Sequence, residues 1–151
     1  MSDATPLLIT GLHQGPVEIE ALPTTAGCGA ESCFVGRTRA ETHDQHGPLV
    51  RLDYEAYAAM VEPMLERLAA ETAKRFGAAA VRMVHAVGPV AVGEASVLIQ
   101  VATPHRAEAF EACRYAIDTL KRELPIWKRE VWEGGETFAP GTAVDTTEAA
   151  R

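Results

Sequence analysis

The chain has 151 residues, 47% of them hydrophobic and 23% charged, with a formal net charge of −7. That size and balance fit one globular domain with a full core, expected over residues 1–139. The acidic excess excludes nonspecific nucleic-acid binding, and no apolar run approaches the ~20 residues of a membrane-spanning helix.

Met1-Ser2-Asp3-Ala4 lacks the basic and apolar regions of a secretory signal. Three cysteines without a pairing pattern fit reduced thiols, so the expected location is the cytoplasm. Residues 6–20 read as a short strand, a turn at Gly15-Pro16 and an extended segment, and residues 22–31 read as loop. Ser32 to Arg39 reads as a buried strand that breaks at Gly36 and presents Arg37 and Arg39. Residues 40–48 are polar and turn-rich, which predicts a mobile loop before a strand at Leu49–Leu52. Asp53 then reads as the N-cap of a helix from Tyr54 to about Phe76, kinked at Pro63 and ended by Gly77.

Ala79–His85 alternates like a strand, and Gly88–Glu94 reads as a turn-rich link. Ala95–Ala102 is a nearly continuous apolar run, which predicts a central strand. Thr103 and Pro104 make a helix start, and Phe110, Cys113, Ile117, Leu120 and Leu124 mark that helix's buried face up to the stop at Pro125. Trp127 reads as core, and a hairpin follows around Gly134-Gly135. Residues 140–151 are polar and small, predicting a disordered tail. The order predicts an α+β fold, with helices packed on a mixed sheet.

Four of the fourteen Lys and Arg residues fall between Leu120 and Glu130, a basic island on an acidic chain. Lys121 and Lys128 flank the Pro125-Ile126-Trp127 stop. Lysines held near apolar surface have lowered pKa and react with or bind anions. His105 and Arg106 stand at a predicted helix N-terminus, where free N–H groups and the dipole favour phosphate. Each group alone has an ordinary reading as a helix-end cation, a solvated strand end or a cap, and Glu130 beside Lys128 reads as a surface ion pair. Together they point to a pocket for a small anion. No metal-ligand spacing and no Ser-His-Asp order occurs, and Gly27-Cys28-Gly29 lacks the strand-to-helix setting of a dinucleotide site.

Phe34-Val35-Gly36-Arg37-Thr38-Arg39, Leu52–Tyr57, His85 with Gly88, Gly93-Glu94, His105-Arg106 with Ala109-Phe110, and Ile117-Asp118 with Leu120-Lys121 follow one another along the chain. With Pro125-Ile126-Trp127-Lys128-Arg129-Glu130, this series resembles the large, catalytic subunit of molybdopterin synthase over about residues 32–130. The Leu-Lys…Pro-x-Trp-Lys-Arg-Glu run carries most of the specificity. The resemblance implies an α/β hammerhead-type fold, a mixed sheet with two main helices and a small hairpin subdomain. It also implies a homodimer with a small ubiquitin-like sulfur-carrier subunit at each end, giving a heterotetramer. The carrier's C-terminal Gly-Gly thiocarboxylate would supply sulfur to cyclic pyranopterin monophosphate, making the molybdopterin dithiolene of the molybdenum cofactor. No cofactor or metal is implied for this step.

By position, Lys121 and Lys128 correspond to the active-site lysines. Arg37, Arg39, His105, Arg106, Arg129 and Glu130 correspond to substrate-binding positions, some of them facing a site in the neighbouring subunit. Two departures stand out: Ala86 follows His85 where the family usually has arginine, and Phe138 stands where it has tryptophan. The competing reading is a noncatalytic module that binds a ubiquitin-like tail or a small phosphorylated ligand.

Overall fold

The computed structural model describes residues 4–23 and 26–139; the expected tail at 140–151 lies outside them. Eight strands and two helices follow in the order β1 (Leu7–Gln14), β2 (Ala30–Arg37), β3 (Thr42–His43), β4 (Gly47–Ala56), α1 (Ala58–Phe76), β5 (Ala80–Ala91), β6 (Ala95–Thr103), α2 (Arg106–Glu123), β7 (Ile126–Trp132) and β8 (Gly135–Phe138). The strands form one sheet whose main path runs β2-β6-β5-β4-β7-β8. β1 pairs parallel with β5, whereas the other pairings are antiparallel. The sheet is therefore mixed and the architecture α+β, as expected.

β6 is buried along all nine residues because both of its faces are covered. Val97, Ile99 and Val101 pack with Val81 and Met83 of β5 under the two helices. On the opposite face, Leu98 joins Val17, Ala86 and Val90, while Ala102 joins Leu22 and Ala80. That explains the near-continuous apolar run, since alternation is lost when neither face meets water. The segment covering the second face is tied down by Arg82 and Gln100, which donate to the carbonyl of Glu20 at 3.2 and 2.7 Å.

α1 buries Val61, Leu65, Leu68, Ala69, Thr72 and Ala73, a stripe at helical spacing. It runs continuously through Pro63 and ends at Gly77, whose φ of 66° supplies the left-handed turn. The helix starts at Ala58 rather than Tyr54, so Asp53 is not its cap. Asp53 lies inside β4, which continues to Ala56 because it pairs with β7 over Leu49–Ala56. Such a ladder between distant segments leaves no local mark that periodicity detects. Likewise β5 continues through the expected link to Ala91, because Gly88–Ala91 pair with Tyr54–Arg51. The turn is reduced to the region of Gly93, whose φ of 91° requires glycine.

α2 presents Ala109, Ala112, Cys113, Ala116, Ile117, Thr119 and Leu120 to the core. Its stripe is built on small residues, and Phe110 falls outside it at 67% exposure. Trp127 is also outside the core, 41% exposed, because β7 alternates and Ile126 takes the inward position. Residues 40–48 form a built hairpin in which Thr42 and His43 pair with Pro48 and Gly47. The hairpin around Gly134-Gly135 is present as β7–β8.

Candidate active site

The site begins with the β4–β7 register, which sets Tyr54 opposite Lys128 and Asp53 opposite Arg129. Side chains alternate along a strand, so these two cross-strand pairs face opposite ways. Tyr54 and Lys128 line a cavity, while Arg129 donates to Asp53 at 3.0 Å on the other face. Arg51 also donates to Asp53, at 2.8 Å. Burial alone would raise the Asp53 pKa, but the hydrogen bonds and charges of the two arginines outweigh it and hold the carboxyl below its ordinary value.

Lys121 reaches the same cavity from the last turn of α2, where the helix dipole favours a cation. Leu124 caps that helix through its N–H to the Leu120 carbonyl, and the chain turns at Pro125 directly into β7. This short connection puts the two lysines on facing elements. Their common cavity, about 40 Å³, is lined by Tyr54, His85, Leu120, Lys121, Leu124, Ile126 and Lys128. Lys121 keeps a solvent-exposed surface, but its partly apolar surroundings lower its pKa, and the charge of Lys128 lowers it further.

His85 extends the inward row Val81-Met83-His85 of β5, and its ring meets Tyr54 edge-on at 5.1 Å. Burial pushes its pKa down to about 4; the hydrogen bond to the Ala86 carbonyl opposes this, and both lysines reinforce it. The ring is therefore neutral at pH 7. Tyr54 is held protonated, its pKa raised by burial.

An adjoining cavity of about 220 Å³ shares Tyr54, Lys121 and Lys128 and adds Arg37, Arg39, Glu41, Ser96 and Glu130. A bulge aims the arginines here: β2–β6 pairing passes from Gly36 opposite Val97 to Arg37 opposite Ala95, skipping Ser96. Arg37 donates to the Gly93 carbonyl at 3.0 Å, and Thr38 is strapped to the same turn by backbone bonds with Gly93 and Glu94. Arg39 reaches out to Glu41 at 3.0 Å. Glu130 is oriented from behind, accepting from Thr137 at 2.7 Å, while Trp132 donates to Thr137 at 2.8 Å. The β3–β4 hairpin stands beside this mouth, with the His43 ring stacked on His46 and tilted against Trp132.

The fold thus gathers Lys121, Lys128, Arg37, Arg39 and Glu130. It does not bring Arg129 to them; that guanidinium serves Asp53 and Glu136 across the sheet. His105 and Arg106 stand at the far end of α2, roughly 22 Å of helix from Lys121 at 1.5 Å per residue. No side chain spans that distance, so within one protomer they are separate from the lysine cavity. His105, not Thr103, is the N-cap, and Thr103 donates to its carbonyl at 2.6 Å.

Sequence reasoning passed over Tyr54 and gave His85 no role. The available signal was the period-two row Val81-Met83-His85, in which a titratable ring continues an apolar face. Ala86 projects to the opposite side of β5, into the cluster with Val17, Val90 and Leu98. An arginine there would point away from the lysines.

Fold and site define a small α+β protein with a paired-lysine pocket suited to an anionic substrate. Its sequence matches the MoaE protein family over residues 12–123. It is 41% identical over 119 residues to the molybdopterin synthase catalytic subunit of Bacillus subtilis (strain 168), covering 79% of this chain and 74% of that one. The crystal structure of molybdopterin synthase from Staphylococcus aureus superposes with a TM-score of 0.78 at 32% identity, covering 85% of this chain and 95% of its own. A chain in the complex of subunits 1 and 2 of molybdopterin-converting factor from Helicobacter pylori shares the fold, with a TM-score of 0.69 at 22% identity and coverage of 89% and 92%. The chain belongs to the MoaE family, and its enzyme class is that of a sulfurtransferase in molybdopterin synthesis.

Proposed function

We propose that this chain transfers sulfur from the C-terminal Gly-Gly thiocarboxylate of a small ubiquitin-like carrier to cyclic pyranopterin monophosphate. The observation that carries the reading is the convergence of Lys121 and Lys128 on one cavity beside a larger one bearing Arg37 and Arg39. The sulfur nucleophile arrives on the carrier, so none of Cys28, Cys33 and Cys113 is needed as a nucleophile. In each transfer the thiocarboxylate sulfur bonds to a substrate carbon as a carbon–oxygen bond at that carbon breaks, and the departing oxygen takes up a proton. Water then cleaves the acyl–sulfur bond, leaving the carrier as carboxylate and the sulfur on the pterin.

Lys128, on a rigid strand, polarises the carrier's acyl carbonyl or protonates the attacked carbon's substituent. Lys121 holds the carrier tail or the intermediate. Arg37 and Arg39 bind the phosphate, and Glu130, fixed by Thr137, orients polar groups of the pterin. His105 and Arg106 serve the cavity of the second chain in a homodimer, since their own lies too far away. The lowered pKa of Lys121 favours this enzymatic role over a passive tail-binding module, for which a fully charged Lys121 suffices.

Wild type mixed with thiocarboxylated carrier and cyclic pyranopterin monophosphate forms molybdopterin. Lys128→Ala is expected to lose activity by at least about 100-fold, the usual scale for a positioned acid or electrophile. Molybdopterin formation by a folded Lys128→Ala protein at the wild-type rate would refute the assignment.

A further inference from the structure

We propose that His85 is a positioning residue for Lys121, presenting the neutral lone pair of Nε2 to the lysine amine inside their common cavity. This rests on the sulfur-transfer reading for its purpose but not for its geometry. The ring's Nδ1 lies 2.8 Å from the Ala86 carbonyl oxygen. A carbonyl only accepts, so Nδ1 carries the hydrogen and, in the neutral ring, Nε2 is left as an acceptor. Nε2 makes no hydrogen bond among the described residues, and the ring lines the cavity that receives both lysines.

The surroundings make that acceptor matter. Tyr54 faces the ring from β4, Lys121 from α2 and Lys128 from β7. The β1 and β6 residues paired with His85 are Leu12 and Val97, which carry no charge. No carboxylate lines this cavity; the nearest ones, Glu41 and Glu130, line the adjoining cavity that both amines also reach. Besides Nε2, the side-chain acceptor on its lining is the hydroxyl of Tyr54, which meets the ring from β4. An anion at position 85 would hold Lys121 fully charged and paired. A neutral imidazole fixes the amine's direction while leaving it able to give up a proton, and its low basicity keeps it from adding a third positive charge.

The test uses the isolated chain and no substrate. Long-range proton–nitrogen spectra of the ring at pH 7 are expected to show Nδ1 protonated and Nε2 bare; the reverse tautomer or a doubly protonated ring overturns the proposal. The second measurement titrates Lys121 through its ε-carbon signal in wild type, His85→Asn, His85→Gln and His85→Phe. Asparagine reproduces the Nδ1 side and glutamine reaches the Nε2 position. Loss of a neutral acceptor lowers the Lys121 midpoint by roughly half to one pH unit in the asparagine and phenylalanine variants, and glutamine restores it. An unchanged midpoint in folded His85→Asn overturns the proposal, whatever phenylalanine does to folding. Neither result depends on turnover, so failure of the sulfur-transfer reading would be seen separately, as a Lys128→Ala protein that keeps its activity.

Discussion

Replacing Gly36 by alanine puts a methyl group 2.6 Å from Cγ1 of Val97, whereas its next neighbour, a Phe34 ring carbon at 3.5 Å, is in ordinary contact. Val97 is 3% exposed and sits directly opposite Gly36 in the β2–β6 ladder, so it cannot swing into solvent. Its β-branched side chain has few χ1 alternatives, and overpacking of this kind costs about 1–3 kcal/mol. The backbone at Gly36 is not in the left-handed region, so alanine also gains ~0.4–1 kcal/mol by restricting the unfolded chain. The net expectation is a loss of about 1–2 kcal/mol, or roughly 2–8 °C in Tm for a chain of this size. Urea melts of Gly36→Ala, Val97→Ala and the double variant, at one protomer concentration, measure the coupling. Removing the Val97 methyls makes room for the new one, so the double variant is expected to be at least about 1 kcal/mol more stable than additivity allows. Additive losses within ~0.5 kcal/mol would show that the contact is not what demands glycine. The consequence reaches function, because the bulge that aims Arg37 begins at this residue.

Asp53→Asn removes the carboxylate shared by Arg51 and Arg129 and should cost ~1–3 kcal/mol at pH 7. The folded pKa lies below the unfolded one, so this contribution is complete above about pH 4 and fades as pH falls through the folded pKa. Urea melts at pH 7 and pH 3 should show the variant's deficit shrinking, and an equal deficit at both would contradict the ion-pair assignment. If Arg106 serves the neighbouring chain's cavity, Lys128→Ala and Arg106→Ala proteins are each defective but complement when mixed and reassociated. Half the dimers are then mixed and carry one intact site, so about a quarter of wild-type activity should return; no recovery would show that Arg106 does not complete the neighbouring chain's site. Phe110→Ser should change the isolated chain's stability by less than ~0.5 kcal/mol in urea melts, because the ring is outside the α2 core stripe. A loss above about 1 kcal/mol would mean that a second chain covers the ring.

What local pattern marked, the structure kept: the apolar run of β6, the stop of α2 at Pro125, the β7–β8 turn, and the break at Gly36. What it did not mark was set by pairing between distant segments. Asp53 has the chemistry of a helix cap and stands just before a helical pattern, yet the β7 ladder claims it for a strand, and its carboxylate meets Arg129 instead. The same ladder decides the site. Lys128 and Arg129 are adjacent in sequence and belong to one basic island, which read as a single anion-binding feature. A strand's pleat separates them: Lys128 turns inward with Tyr54 toward Lys121 and His85, and Arg129 turns outward to its carboxylates. A one-residue slip of β7 would exchange the two, placing a planar, forked guanidinium where the compact Lys128 amine stands. The Asp53–Arg129 pair opposes that slip, because it fixes the register from the outer face. Arg129 thus holds Lys128 in phase with the cavity from the opposite face of the sheet.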